Sequence, residues 1–286
     1  MGGPALVQLE RLAIVAVVVA CWEVLPRLNV VSPLFIPPPS QVVSTLVHLL
    51  VYENLAVHTR ISLLRAVGGL TVGAVLGPFL GFAFGGFSPR LEKAAAPLVG
   101  LASQANPVVL FHVVVLFLGI GEISKVTVIA WLTTWPIAFS ATAGLRTVDP
   151  NLLRVGRAFG LTPLGLFRRI ILPWSMPLLF IGLRLAAGYS FIMLIAAEMM
   201  GTSSGLGWFV VQSQESYSAP RIFAAAVLTS GLAFVTDSFL SVLEHTVVYW
   251  TPRASCSGVH SGNSRRIWNF QRPLIRPSHL SGGSGI

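Results

Sequence analysis

Apolar residues in this chain do not alternate with polar ones; they run in blocks. Six stretches, about residues 12–25, 63–86, 94–119, 123–145, 177–200 and 222–250, are predominantly apolar. Short segments that hold Pro, Gly and most of the charge separate them. Each of the last five is long enough to cross a hydrocarbon core of ~30 Å at ~1.5 Å per helical residue, and the first is short for that purpose. Predominantly apolar runs of this length fit neither an amphipathic surface helix nor a sheet strand. The pattern predicts an all-α membrane protein of about six transmembrane helices, one membrane domain over residues 1–252. Residues 253–286, rich in Ser, Gly and Pro with scattered Arg, read as a disordered basic cytoplasmic tail.

Within the second stretch, Gly69, Gly73, Gly77, Gly81 and Gly85 recur every four residues. On a helix they form one face, where a second helix can approach closely. The stripe predicts a helix-packing surface, either a static contact or a sliding one.

Composition agrees with the apolar blocks. Hydrophobic residues make up 54% of the 286 and charged residues 10%, with a mean hydropathy of +0.77; soluble domains carry about 25% charge. The net charge of +9 suggests nucleic acid at first, but the basic residues lie between spans and in the tail rather than on one compact face. With the N-terminus in the cytoplasm, thirteen Lys and Arg fall inside and four (Arg27, Arg60, Lys125, Arg221) outside. That bias predicts a multi-pass protein with both termini cytoplasmic and no nucleic-acid partner. Cys21 and Cys256 form neither a disulfide framework nor a zinc motif, so no metal is expected.

The longest basic interruption, "VGRAFGLTPLGLFRRIILP", spans residues 155–173. Asp149-Pro150 opens a turn, a short helix follows, and Gly160 stops it. Thr162 is a good N-cap and Pro163 fits the first helical position of a second short helix. Leu164, Phe167 and Ile171 give that helix one apolar face, with Arg168 and Arg169 elsewhere and Pro173 ending it. The segment could lie on lipid, link two spans, or dock into a cytoplasmic partner.

Polar residues inside apolar runs mark the other candidates. Gln104 and Asn106 fall near the middle of the third stretch and His112 in its outer half. Such groups are costly in lipid unless they face protein or water, so they either contact a solute or hydrogen-bond between helices. Glu198 falls near the outer end of the fifth stretch, where a structural or docking role is expected.

The segment "GRAFGLTPLGLFRRIILPWSMP" resembles the cytoplasmic EAA loop of bacterial ABC-importer permeases, through Gly160, Phe167, Leu172, Pro173 and Pro177. "PLLFIGLRLAAGYSFIMLIAAEMMGTSSGLGWFV", "WEVLPRLNVVSPLFIPPPSQV" and "GIGEISK" are similar to the nitrate, taurine and aliphatic-sulfonate branch. The resemblance covers roughly residues 12–252 and implies an ABC type I importer permease fold. It implies a second permease subunit, as a homodimer, around one translocation path in the bilayer of the bacterial inner membrane. A periplasmic substrate-binding protein would deliver the solute by alternating access, and cytoplasmic ABC ATPase subunits would receive a coupling helix from about residues 149–173. The chain has no GxxxxGK[ST] phosphate loop, so it is expected to hold no cofactor, with ATP and Mg bound by the partner ATPase. The loop's name-giving Glu-Ala-Ala is Arg154-Val155-Gly156 here. A pyrimidine vitamin precursor is the alternative solute. An intramembrane enzyme is the alternative of another class, and it lacks a HExxH motif or an intramembrane Ser/Lys or paired-Asp site.

Overall fold

The computed structural model describes residues 4–28, 30–86 and 89–250. The chain divides into a helical unit, Met1–Tyr249, and a second unit, Trp250–Ile286; the tail expected over 253–286 lies outside the described residues. Every regular element among the described residues is helical. The order is α1 (Pro4–Arg27), α2 (Pro39–Tyr52), α3 (Leu55–Gly86), α4 (Pro89–Ser103), α5 (Pro107–Leu118), α6 (Glu122–Arg146), α7 (Pro150–Ala158), α8 (Pro163–Leu166), a π-helical turn (Phe167–Ile171), α9 (Leu172–Met199), α10 (Leu206–Glu215) and α11 (Ala219–Val247).

Four helical runs are long and apolar enough to cross a membrane by themselves: Leu55–Gly85, Glu122–Arg146, Pro163–Met199 and Ala219–Val247. The stretch expected as a single third span is instead two helices, α4 and α5, bent by 90° at a break after Ser103. Asn106 and Pro107 explain the bend. Proline at the first helical position starts α5 afresh, and the Asn106 side chain accepts hydrogen bonds from the Val108 and Val109 amides.

Helices α3, α6 and α9 form the centre. On α3 the face carrying Gly69, Gly73, Gly77, Gly81 and Gly85 lies directly against α6. A Cβ on Gly77 would sit 2.6 Å from Ile137 Cβ, and one on Gly85 would sit 2.9 Å from Thr142 Cγ2. At Gly69, Gly73 and Gly81 it would overlap Ile129, Thr133 and the Ala138 carbonyl. Approach this close lets side chains on one helix reach the other's backbone: the Thr142 hydroxyl bonds both the Ala138 carbonyl of its own helix, at 3.0 Å, and the Gly81 carbonyl across the interface, at 3.1 Å. Between α6 and α9 the same device appears at Gly144, which packs on Ser175, and at Gly182, which packs on Ser140.

Around this centre Ala66, Phe111, Ile129, Phe191 and Leu194 form one buried cluster. A second, with Leu49, Leu55, Leu206 and Phe209, ties α2 and α10 to α3. Outward-facing Ile, Leu, Val and Phe are abundant, as on the two outer helices α1 and α11. That is the surface a bilayer covers.

Candidate functional sites: the connecting loop and a buried ionic cluster

The loop after α6 is built by strong local rules. Asp149 caps α7 by accepting from the Asn151 amide at 2.8 Å. Gly160 takes φ +76 and closes α7. Its amide bonds the Arg157 carbonyl and the Leu161 amide bonds the Gly156 carbonyl, the paired pattern of a Schellman stop. Thr162 accepts from the Gly165 amide at 3.2 Å and Pro163 follows as the first residue of α8. Gly156 presses on this corner: a Cβ there would lie 2.7 Å from Leu166 and 2.8 Å from Ile170. The Trp174 indole donates to the Thr147 carbonyl at 3.0 Å and ties the loop back to the end of α6.

Two expectations for this loop need correction. Pro173 does not end the helix, because the π-helical turn before it absorbs the strain. The Leu172 amide reaches back five residues to the Phe167 carbonyl, and Pro173, which has no amide hydrogen, follows at the start of α9. Helix therefore runs without interruption from Pro163 to Met199. The wider turn also shifts the register, so Leu164, Phe167 and Ile171 do not share one exposed face. Phe167 turns inward and packs edge-on against Phe82 of α3, with ring centroids 5.1 Å apart, and Ile171 is half-buried. The exposed apolar side chains of the loop include Leu152, Val155, Phe159, at 83% exposure, and Leu164. Val155 and Phe159 escaped the sequence reading, although their spacing of four on α7 was a usable signal. Arg168 and Arg169 are exposed.

The three polar candidates of the third stretch are not brought together inside one helix. Gln104 is exposed in the bend, Asn106 is the cap of α5, and His112 is exposed on α5 with Nδ1 3.0 Å from the Val108 carbonyl.

Glu198 lies at the outer end of α9, as expected, but it is buried, at 1% exposure. Its carboxylate accepts from the Ser62 hydroxyl at 2.7 and 2.8 Å, from Arg65 Nη1 at 2.7 Å and from the Gly207 amide at 2.9 Å. Arg65 also donates to both oxygens of Glu122, at 2.5 and 2.6 Å, and to the Ser204 carbonyl at 2.8 Å. Lys125 reaches Glu122 at 3.0 Å. The formal charges of Arg65, Lys125, Glu122 and Glu198 cancel, and every buried lone pair named here has a donor, the condition under which buried charge is tolerated. The backbone between α9 and α10 is moulded around this carboxylate. Gly205 adopts φ +119, donates to His58 Nδ1 at 3.1 Å and leaves no room for a Cβ beside the Glu198 carboxylate; a Cβ on Gly207 would lie 2.6 Å from Glu198 Cβ. The cluster thus fastens α3, α6, α9 and α10 at the end of the bundle opposite the loop.

A stiff loop at one end and a fastened ionic cluster at the other suit a protein that moves as helices. Comparison with known proteins identifies the family. Residues 69–249 match the model of the binding-protein-dependent transport system inner membrane component family. The chain is 31% identical over 242 residues to a candidate aliphatic-sulfonates transport permease of Bacillus subtilis (strain 168), covering 85% of this chain and 87% of that one. It is 29% identical over 240 residues to the taurine transport system permease of Escherichia coli (strain K12), covering 82% and 87%. The MetNI methionine ABC transporter in an inward-facing conformation shares the fold at a TM-score of 0.61 and 18% identity, over 68% of this chain and 95% of that one. A match across most of the helical unit, with such identity over most of the length, places this chain in the family of binding-protein-dependent transport system inner membrane components, the permeases of ABC importers.

Proposed function

We propose that this chain translocates a small sulfonate-, taurine- or nitrate-like solute across the bacterial inner membrane by alternating access, as one of two identical copies around a single path. In this reading both termini lie in the cytoplasm. Residues 149–173 dock into ATPase subunits that bind and hydrolyse ATP with Mg, and a periplasmic binding protein delivers solute at the opposite end. Gly160, Thr162, Pro163 and Pro173 give the docking loop its shape, while Leu164 and Arg168 contribute to its surface. Gln104, Asn106 and His112 are retained as path candidates, at or beyond the α4–α5 bend rather than in mid-helix.

The observation that carries this reading is the loop itself. It exposes Val155, Phe159 and Leu164 on a corner held by caps, a Schellman stop and Trp174. Bare apolar side chains on a rigid connection fit a groove in a partner better than they fit water. The test is Phe159→Asp in a tagged permease expressed with its ATPase. The ATPase is expected to be lost on purification while the permease stays in the membrane, and Phe159→Leu should retain it. Full ATPase recovery with Phe159→Asp would refute the docking assignment.

A further inference from the structure

Halfway along α9, Arg184 donates from Nε and Nη2 to the two carboxylate oxygens of Asp237 on α11, at 2.8 and 2.9 Å. Glu244, two turns further along α11, stands 3.7 Å from Arg184 Nη1. These groups lie inside two of the runs long and apolar enough to cross a membrane. Asp237 is about ten residues before the end of α11, roughly 15 Å along the axis. Yet the side chains are not enclosed: Arg184, Asp237 and Glu244 are 39%, 40% and 24% exposed.

Lipid tails cannot cover such a group cheaply, since charge at this depth is costly unless it meets water or another polar partner. The arrangement of α11 separates the two environments. At 100° per residue, Asp237 and Glu244 fall on one face, and the strongly exposed Val235, Phe239 and Val242 fall on the opposite one. The second is the lipid-covered face. On α9, Gly188 follows Arg184 by one turn, and a Cβ there would meet nothing within 4 Å.

The charges do not balance, with one guanidinium against two carboxylates. Asp237 takes the Nε/Nη2 edge of Arg184. Among the described residues the Nη1 edge meets only Glu244, in an ion pair at 3.7 Å that is longer than a hydrogen bond. A donor edge short of an acceptor therefore stands beside a carboxylate short of a donor.

We propose that Arg184, Asp237 and Glu244 line the water-filled path and form a transient site for a zwitterion. The solute's acidic group lies on the free edge of Arg184, and its ammonium lies on Glu244. This rests on the solute reading above and narrows it: a small aminosulfonate fits the triad, and a simple anion meets its excess negative charge. The loose 3.7 Å separation suits a contact that must release what it holds. The excess charge is also the reason the triad does not serve as a neutral seam between copies, where a second pair of carboxylates would repel the first.

The experiment uses the complete complex of permease, ATPase and binding protein in proteoliposomes, with taurine and ethanesulfonate as probes. Glu244→Gln should lower the taurine-to-ethanesulfonate transport ratio by about fivefold or more, the scale of one partly solvated charge pair. An unchanged ratio would overturn the site. If the unaltered complex moves neither probe, the solute reading fails, and the site is then judged separately by water access. Gly188→Cys and Ser241→Cys, one turn from Arg184 and Asp237, are treated with a charged methanethiosulfonate after Cys21 and Cys256 are changed to Ser. Modification of both supports a water-lined face. No modification of either, or spontaneous disulfide formation between copies, would assign the face to lipid or to a subunit seam and overturn the proposal.

Discussion

Three donors converge on Glu198: the Ser62 hydroxyl, Arg65 Nη1 and the Gly207 amide. Removing the carboxylate leaves the Gly207 amide without its acceptor and Arg65 without its buried counter-charge, although Nη1 keeps the Ser204 carbonyl. Breaking a buried pair by deleting one member costs about 3–5 kcal/mol. Glu198→Ala is expected to lose that much, read as a large drop in the melting temperature of the detergent-solubilised protein. Ser62→Ala removes one neutral donor to Glu198 and the acceptor of the buried Leu206 amide, and should cost less, about 1–3 kcal/mol. Equal, small shifts for both variants would mean that the cluster is hydrated and not a fastening. Glycines 205 and 207 belong to the same unit, since neither leaves space for a Cβ against Glu198.

Among the elements, the α3–α6 contact is set by small residues in register. Gly77→Leu would drive a side chain into Ile137 and the Thr134 carbonyl. Overpacking of this kind costs about 1–3 kcal/mol, or more where backbone is the obstacle, so both melting temperature and recovery of folded protein should fall. Gly100→Leu, where a Cβ meets nothing within 4 Å, is the control and should be neutral. An unaltered melting temperature for Gly77→Leu would mean that the helices part readily. These elements were unevenly legible in the sequence. The glycine period, the Gly160 stop and the Thr162-Pro163 start follow from local rules, and each could be read from a few adjacent letters. The α4–α5 bend was hidden by the apolar run on both sides of it. Even so, Asn106-Pro107 is the same cap-then-proline signal as Thr162-Pro163 and Asp149-Pro150. The π-helical turn has no comparable signature, because it resolves a conflict between Pro173 and a helix that tertiary packing keeps going. The pairing of Glu198 with Arg65 joins residues 133 apart in sequence, and no local pattern carries that information.

For the whole molecule, orientation can be tested without knowing the solute. In a background with Cys21 and Cys256 changed to Ser, Tyr217→Cys at the exposed turn before α11 should react with a membrane-impermeant maleimide in intact cells. Phe159→Cys should react only after the membrane is opened; the reverse pattern would invert the topology. The two tested ends are joined by the unbroken helix from Pro163 to Met199, 37 residues long. At 1.5 Å per residue this is a rod of about 55 Å, and a tilt of about 5° about one end carries the other through roughly 5 Å. The Glu198 fastening sits at the far tip of that rod, and its only non-α segment, the π-helical turn, sits close to the loop. In the proposed reading, a push on the docked loop would tilt this rod at its π-helical joint and carry the clamped tip, with the helices fastened to it, sideways. The length of that stroke is set by how many residues separate Ile171 from Glu198.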